Sequence, residues 1–561
     1  MVRSFLTALM TKEVKGMHQA AYLLAAFALG SQALALIRDR LLASAFGAGH
    51  TLDIYYAAFR MPDFLFATVA SLLSLYALLP VLSRLETERA GQGVAFLRDS
   101  LLIFFIGMGV VCGVAWIFAP QIIALIAPGF MHGDADTLVM LTRILLLQPI
   151  LLGISNLFAN LTQLRHRFLL YSISPLLYNV GIICGVIFFY PRFGIAGLGW
   201  GVVLGAAMHA LVQAPFFFSE RVEQRLPLHR VLPVLREVLA LSIPRTLSLS
   251  ANQLVLLGII AIASFLSVGS ISIFTFASNL QAVPIAIIGV SYSVAAFPTL
   301  SRFFAAGNKQ EFVSHIETAL RHIIFWSLPA TVLVIVLRAY IVRAILGAGA
   351  FNWSDTRLTA AALALFMVGF LAQSLVLLIA RAYYAAGNTR TPLMLALLDI
   401  VISIVSALGL LWLFMSDQDF SSFIVALLRV DGVPGGAVLM LALGDSLGAI
   451  VQCLIGVILL ARDFSMPTKG LGRLFFQSFS SSIIGGACAY ATLTLFGPLV
   501  DTTTVVGIVS QGAAAGVVGL FATAVVLALL RSSELSEIVS ALGKRFTKPA
   551  QSIAVEPTDV S

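Results

Sequence analysis

Fourteen stretches of this chain are each apolar for long enough to cross the hydrocarbon of a bilayer, which is about 30 Å thick. They lie at 19–37, 54–82, 100–127, 139–163, 169–190, 194–218, 235–265, 271–299, 320–346, 358–384, 392–415, 435–461, 475–497 and 504–530. Backbone in hydrocarbon must satisfy its own hydrogen bonds, so runs of this length are expected as helices. Only 11% of the 561 residues are charged, against about 25% in a soluble domain. The expected fold class is an all-α polytopic membrane protein of about 14 transmembrane helices. The 54–82 run is the least uniform, because it holds Arg60, Pro62 and Asp63.

Loop charge orients the set. With the N-terminus in the cytoplasm, 24 of the 34 Lys and Arg fall on inside segments, including every lysine. The other ten are Arg38, Arg40, Arg60, Arg143, Arg192, Arg245, Arg338, Arg343, Arg357 and Arg429. This asymmetry predicts both termini in the cytoplasm, and it accounts for the formal charge of +8 without a nucleic-acid partner. The N-terminus has the look of a signal peptide, with ALA at 33–35 as a cleavage site. Cleavage is not expected, because the following residues continue a pattern described below. Cys112, Cys184, Cys453 and Cys488 each sit in an apolar run with no CxxC spacing, so neither a disulfide framework nor a metal site is expected. The eight histidines are scattered, and His209 alone lies well inside a span, where it is expected to be a packed, hydrogen-bonded group.

The chain repeats itself in order. LPVLSR (79–84) matches FPTLSR (297–302) at an offset of 218, and IAPGFMHGDADT (126–137) matches ILGAGAFNWSDT (345–356) at 219. Pro175 matches Pro392 at 217, and GIAG (194–197) matches GVPG (432–435) at 238, the difference falling in a longer loop at 416–435. Spans 1–6 and 7–12 therefore read as two six-helix bundles of the same orientation, pseudo-symmetric about a central cleft, with two extra C-terminal helices. The expected organisation is a cytoplasmic N-terminal segment at 1–18, bundles at 19–218 and 238–463, and a cytoplasmic linker at 219–237 between them. Two additional helices at 464–531 and a polar cytoplasmic tail at 532–561 complete it. Two equivalent bundles around a cleft suit alternating access.

Charges inside such spans cost roughly 2.5–3.5 kcal/mol each on insertion scales, and they usually face a partner or a watery cavity. Here they gather on the first hairpin: Arg38, Asp39 and Arg40 end span 1, Asp53 opens span 2, and Arg60 and Asp63 lie within it. Residues 60 and 63 share a helix face, residues 53 and 60 differ by about two turns, and Pro62 should bend the helix. The matching hairpin of the second half, 264–302, is uncharged until Arg302, with Ser278, Asn279 and Gln281 its polar candidates. The cleft should be charged on one wall and apolar on the other, a surface suited to a lipid with a polar head. An ion network that merely holds the hairpin, with snorkelling arginines, is the competing reading of the same cluster.

The stretch RDRLLASAFGAGHTLDIYYAAFRMPDFLFA (38–67) resembles the opening hairpin of the MurJ/MviN lipid II flippases, whose pattern is roughly ARD-x6-FGAG-x3-D-x5-F[KR]-x-PN. Arg38, Asp39, Phe46–Gly49, Asp53, Phe59, Arg60 and Pro62 match it, and Asp63 stands where Asn is usual. The likeness continues in APGF (127–130), HRF with Pro175 and Asn179, FPTLSRFFAAGN (297–308) and RAYYAAGNTRTP (381–392). It implies the fold of the multidrug/oligosaccharidyl-lipid/polysaccharide exporters. It also implies the movement of an undecaprenyl-pyrophosphate-linked peptidoglycan precursor between leaflets of the bacterial inner membrane. The resemblance implies substrate binding by Arg38, Asp39, Asp53 and Arg60, with Asn279 where the family keeps an arginine; Gly47, Gly49, Pro62, Pro298 and Arg381 are the expected structural or gating positions. Two further cavity arginines are replaced by Gln32 and Phe66, and the EGAFS-like stretch is SLLSL (71–75).

The expected mechanism has Arg38 and Arg60 binding the pyrophosphate, with Asp39 and Asp53 holding those arginines when the site is empty. Membrane potential supplies about 2.3 kcal/mol per charge per 100 mV. Expected partners are the lipid-linked oligosaccharide or peptidoglycan precursor, membrane lipids and other cell-wall synthesis proteins, with no cofactor and no metal. The alternatives are a polysaccharide-lipid or multidrug exporter of the same superfamily, and a non-transporting envelope-assembly scaffold. A membrane enzyme is not expected, because no carboxylate or histidine cluster suited to catalysis appears.

Overall fold

The structure is a computed structural model that describes residues 17–73, 75–88, 91–219, 228–466, 470–496, 504–537 and 540. Most of the expected N-terminal segment, part of the linker (220–227) and most of the polar tail (541–561) lie outside the described residues.

The first half runs α1 (Met17–Phe46), α2 (His50–Ala58), α3 (Arg60–Thr68), α4 (Leu75–Glu88), α5 (Gln92–Ile117), α6 (Ala119–Ile126), α7 (Ala135–Leu145), α8 (Leu147–Leu164), α9 (Phe168–Cys184), α10 (Tyr190–Phe193), α11 (Ile195–Leu211) and α12 (Ala214–Ser219). The second half runs α13 (Leu228–Ala263), α14 (Ser270–Pro284), α15 (Ser291–Ala305), α16 (Lys309–Ile345), α17 (Trp353–Ala385), α18 (Arg390–Ser416), α19 (Gln418–Leu428) and α20 (Val438–Phe464). Then follow α21 (Leu471–Phe496) and α22 (Val505–Leu529).

Among the described residues, eleven helical stretches are long and apolar enough to cross a membrane. They coincide with the expected spans 3–6 and 8–14. Span 7 falls on α13, which begins at Leu228, so the last ten residues of the expected linker are its opening turns. Span 2 is broken. Pro62 has no N–H to offer the carbonyl of Ala58, and the helix interrupts at Phe59 between α2 and α3. Pro149 has the same effect on Leu145, dividing α7 from α8.

Side-chain burial follows a lipid solvent rather than a water one. In α18 the most apolar window has a mean hydropathy of 2.5, yet only 17% of it is buried. Met394, Trp412 and Met415 are 70% or more exposed there. In water such a face would be untenable; in hydrocarbon it is the outer wall. The opposite extreme is α17, whose window is 72% buried because α14, α16 and α20 pack around it. In the first half, α9 packs on α11, with Gly181 against Gly205 and Gly185 against Gly201. Glycines there let two backbones approach where any Cβ would collide.

Candidate functional site

Where α1 ends and α2 begins, the two halves meet through helix termini. The Asp53 carboxylate, on α2, accepts the backbone N–H of Gly269 (2.6 Å), the N–H of Ser272 (2.8 Å) and the Ser272 hydroxyl (2.6 Å). It therefore caps α14 of the other half, satisfying N–H groups that have no partner in their own helix and facing the positive end of its dipole. Arg40 does the converse: its Nη1 donates to the carbonyls of Ala344 (2.7 Å) and Ile345 (3.1 Å), the last of α16. The Ala350 N–H donates to the Ser44 carbonyl (2.8 Å), the Ala48 N–H to Asp355 Oδ2 (3.3 Å) and the Gly129 N–H to Ser264 Oγ (3.0 Å). Gly47 has φ +64°, and a Cβ there would meet the Ala350 carbonyl at 2.8 Å. Gly49 is extended and serves as N-cap of α2, its carbonyl accepting from Leu52 and Asp53.

Asp53 and Ser272 are 219 residues apart, which is the offset of the sequence repeat. Equivalent positions touch only near the axis that relates the two halves. The repeat thus carried the signal for this contact, although sequence reading assigned Asp53 to hold an arginine. The structure corrects that assignment, because both carboxylate oxygens are taken up by α14.

About two turns back along α1 from its end, Arg38 and Asp39 form the next layer. Arg38 Nε and Nη2 both donate to Asp39 Oδ1 (2.9 and 2.7 Å), and Nη1 donates to Asn179 Oδ1 on α9 (3.1 Å). From the second half, Asn279 Nδ2 donates to Asp39 Oδ2 (3.0 Å). Arg38, Asp39 and Asn279 are thus brought together as expected, across the two halves. Asn179 belongs to a sequence motif, and the structure adds it to the site.

Arg60 and Asp63 lie further along the hairpin on α3, separate from that chain of bonds. Arg60 is 9% exposed and makes no hydrogen bond or ion pair among the described residues. Asp63, three residues on, instead accepts from Gln148 Nε2 on α8 (3.3 Å). Tyr55 and Tyr56 are buried beside this pair and Arg38. The expected six-residue charged cluster is therefore three arrangements: a contact layer at helix ends holding Arg40 and Asp53, a bonded layer of Arg38 and Asp39, and an open pair of Arg60 and Asp63. Pro298 and Arg381 are not brought to it. They sit about 28 Å along the helix from Asn279 and about 39 Å from Asp355, toward the opposite face. His209 hydrogen-bonds Ser155 through Nδ1 (2.7 Å) in a buried network with Gln213, as expected of a packed group.

The model of one protein family, the lipid II flippase MurJ, matches residues 42–508. The chain belongs to the MurJ family. The matched span takes in Asp53, Arg60, Asp63 and Asn279 and begins four residues past Arg38. A probable lipid II flippase MurJ of Buchnera aphidicola is 27% identical over 380 residues, covering 66% of this chain and 74% of the relative. Among solved structures, a lipid II flippase MurJ in an inward closed conformation superposes with a TM-score of 0.70 at 21% identity, covering 91% of this chain and 99% of that one. An inward-facing multidrug transporter of the MATE family shares the fold, with a TM-score of 0.64 at 16% identity over 77% of this chain and 94% of that one. The MurJ family is one of transporters rather than enzymes, and the chain is a multi-pass membrane protein of that family.

Proposed function

We propose that this chain is a lipid II flippase, moving an undecaprenyl-pyrophosphate-linked peptidoglycan precursor from the cytoplasmic to the outer leaflet of a bacterial inner membrane. The halves are assigned to 19–218 and 238–463, with both termini cytoplasmic, in keeping with the 24 Lys and Arg that this orientation places inside. The contacts made by Arg40, Asp53 and Asp355 then lie on the outer face and close it, so the head group enters from the cytoplasm while its tail stays in lipid. Family membership supports this reading, and Arg60 carries the site: a largely buried guanidinium with no hydrogen-bond partner among the described residues, and only Asp63 near it, is costly unless a further anion completes it. The pyrophosphate oxygens fit that need, with Arg38 a second donor released from Asp39 as the substrate competes for it. Opening the outer face requires Asp53 to leave α14 and Arg40 to leave α16. An inside-negative potential favours the outward passage of the anionic head by about 2.3 kcal/mol per charge per 100 mV. Other cell-wall synthesis proteins are the proposed recipients of the product.

The test is rescue of bacteria depleted of their own lipid II flippase. Wild type restores growth, and Arg60→Ala and Arg38→Ala fail despite normal expression and insertion. Normal rescue by both variants removes the arginines from the site.

A further inference from the structure

The segment 416–435 is where the repeat offset grows from 217 to 238, and the first half has no counterpart to its extra residues. It contains α19, whose start is capped by Asp417, accepting from the N–H groups of Asp419 (2.9 Å) and Phe420 (3.1 Å). It ends at Arg429, a non-glycine residue at φ 60°. Arginines from two other helices hold that end. Arg338 Nη2, on α16, donates to the Leu428 carbonyl (3.4 Å), and Arg357 Nε and Nη2, on α17, donate to the Arg429 carbonyl (3.0 and 2.6 Å). Arg343 lies over the Trp353 ring at 5.5 Å. Four arginines thus gather on the face that carries the Asp53 contact.

Capping explains one edge of two of these side chains and leaves their charge unanswered. None of the four has a carboxylate oxygen within 4.0 Å among the described residues. Arg338, bonded to the carbonyl of Leu428, sits beside Arg429, and the two like charges repel. None of the nearby acids pairs with them among the described residues. Asp355 accepts from Ala48 and Asn352. Asp417 and Asp419 sit at the other end of α19, roughly 17 Å away, and Asp431 is exposed two residues past Arg429. Arg429 Nη2 reaches Tyr490 Oη on α21 (3.4 Å), which leaves the phenol hydrogen free to donate. Phe423 and Leu427 on α19 are 61% and 60% exposed, beside the headgroup position and turned to lipid.

We propose that Arg338, Arg429 and Tyr490 form a phosphate site for the head group of an anionic lipid in the leaflet at this face. A phosphate there bridges two guanidiniums that otherwise repel, in a bidentate geometry arginine favours. The same chemistry is offered by a resident phospholipid and by the transported pyrophosphate on arrival, and the site does not depend on which lipid the central arginines carry.

The full chain, purified in detergent, is examined by native mass spectrometry with added phosphatidylglycerol or phosphatidylcholine. Wild type holds phosphatidylglycerol at one more tight site than Arg429→Gln or Tyr490→Phe, neither of which removes a cap of α19. The Arg338→Gln/Arg429→Gln double variant binds it about tenfold more weakly, and Arg338→Lys falls between. Displacement of phosphatidylglycerol by a polyprenyl pyrophosphate but not by inorganic pyrophosphate identifies the transported lipid as occupant. Resistance to both identifies the resident phospholipid. Equal retention of phosphatidylcholine, or unchanged phosphatidylglycerol binding in every variant, overturns the site.

Discussion

Asp63 is the residue whose replacement should change this protein most informatively. It stands where the family pattern has asparagine, three residues from Arg60 on α3. The formal charges of Arg38, Asp39, Arg60 and Asp63 cancel, so a pyrophosphate meets two guanidiniums and two carboxylates. Asp63→Asn keeps the shape and leaves an oxygen to accept from Gln148, but removes one negative charge. At a separation of about 7 Å and an effective dielectric of about 20, each pyrophosphate charge is relieved of about 2 kcal/mol, roughly thirtyfold in affinity. The empty protein responds oppositely, since Arg60 loses its nearest anion and the melting temperature in detergent falls. Titration of purified wild type and Asp63→Asn with a polyprenyl pyrophosphate measures the first effect, and a thermal melt without ligand the second. Unchanged or weaker binding in Asp63→Asn would refute the assignment of Arg60 to the head group.

Two further outcomes follow from contacts elsewhere in the molecule. Asp53→Asn removes the charge from the start of α14 and should weaken the contact between α2 and α14 by about 1 kcal/mol; spin labels at Gly133 and Ser354, both exposed and near that contact, should report longer distances by electron resonance, and an unchanged distribution would contradict the proposed gating role. After α22, Glu534 is 3% exposed; burial opposes its ionisation, but its own backbone N–H, Arg321 and Ser532 outweigh that and hold it below the usual carboxylate range. The docking of 532–537 onto α16 is therefore stable above the ordinary carboxylate pKa of about 4.3 and lost as pH falls through the lower folded value. Hydrogen-exchange protection of those amides should be equal at pH 7 and 5 and collapse only in stronger acid.

Much of the fold was legible because hydrocarbon imposes one rule on every helix. Run length placed spans 3–6 and 8–14 correctly, and Pro62 announced the break at Phe59, three residues before it. Periodicity along one helix does not give the direction of another 200 residues away. The partners of Arg40 and Asp53 were accordingly missed: apart from the Ser272 hydroxyl they are backbone groups at helix ends, which no side-chain pattern reveals. Asn279 was found because it occupies a position where the family keeps an arginine, and its bond to Asp39 follows from the shorter, neutral side chain. Asn179 had a comparable signal, a motif asparagine one turn past Pro175, but nothing in its spacing pointed to Arg38.

The most direct measurement reconstitutes the purified chain into liposomes with an inside-negative potential and follows transfer of lipid II between leaflets. Wild type should move it, at a rate that falls when the potential is collapsed. Arg60→Gln, folded and inserted to the same extent, should lose most of that rate. Absence of transport by wild type, or equal transport by Arg60→Gln, would contradict the account.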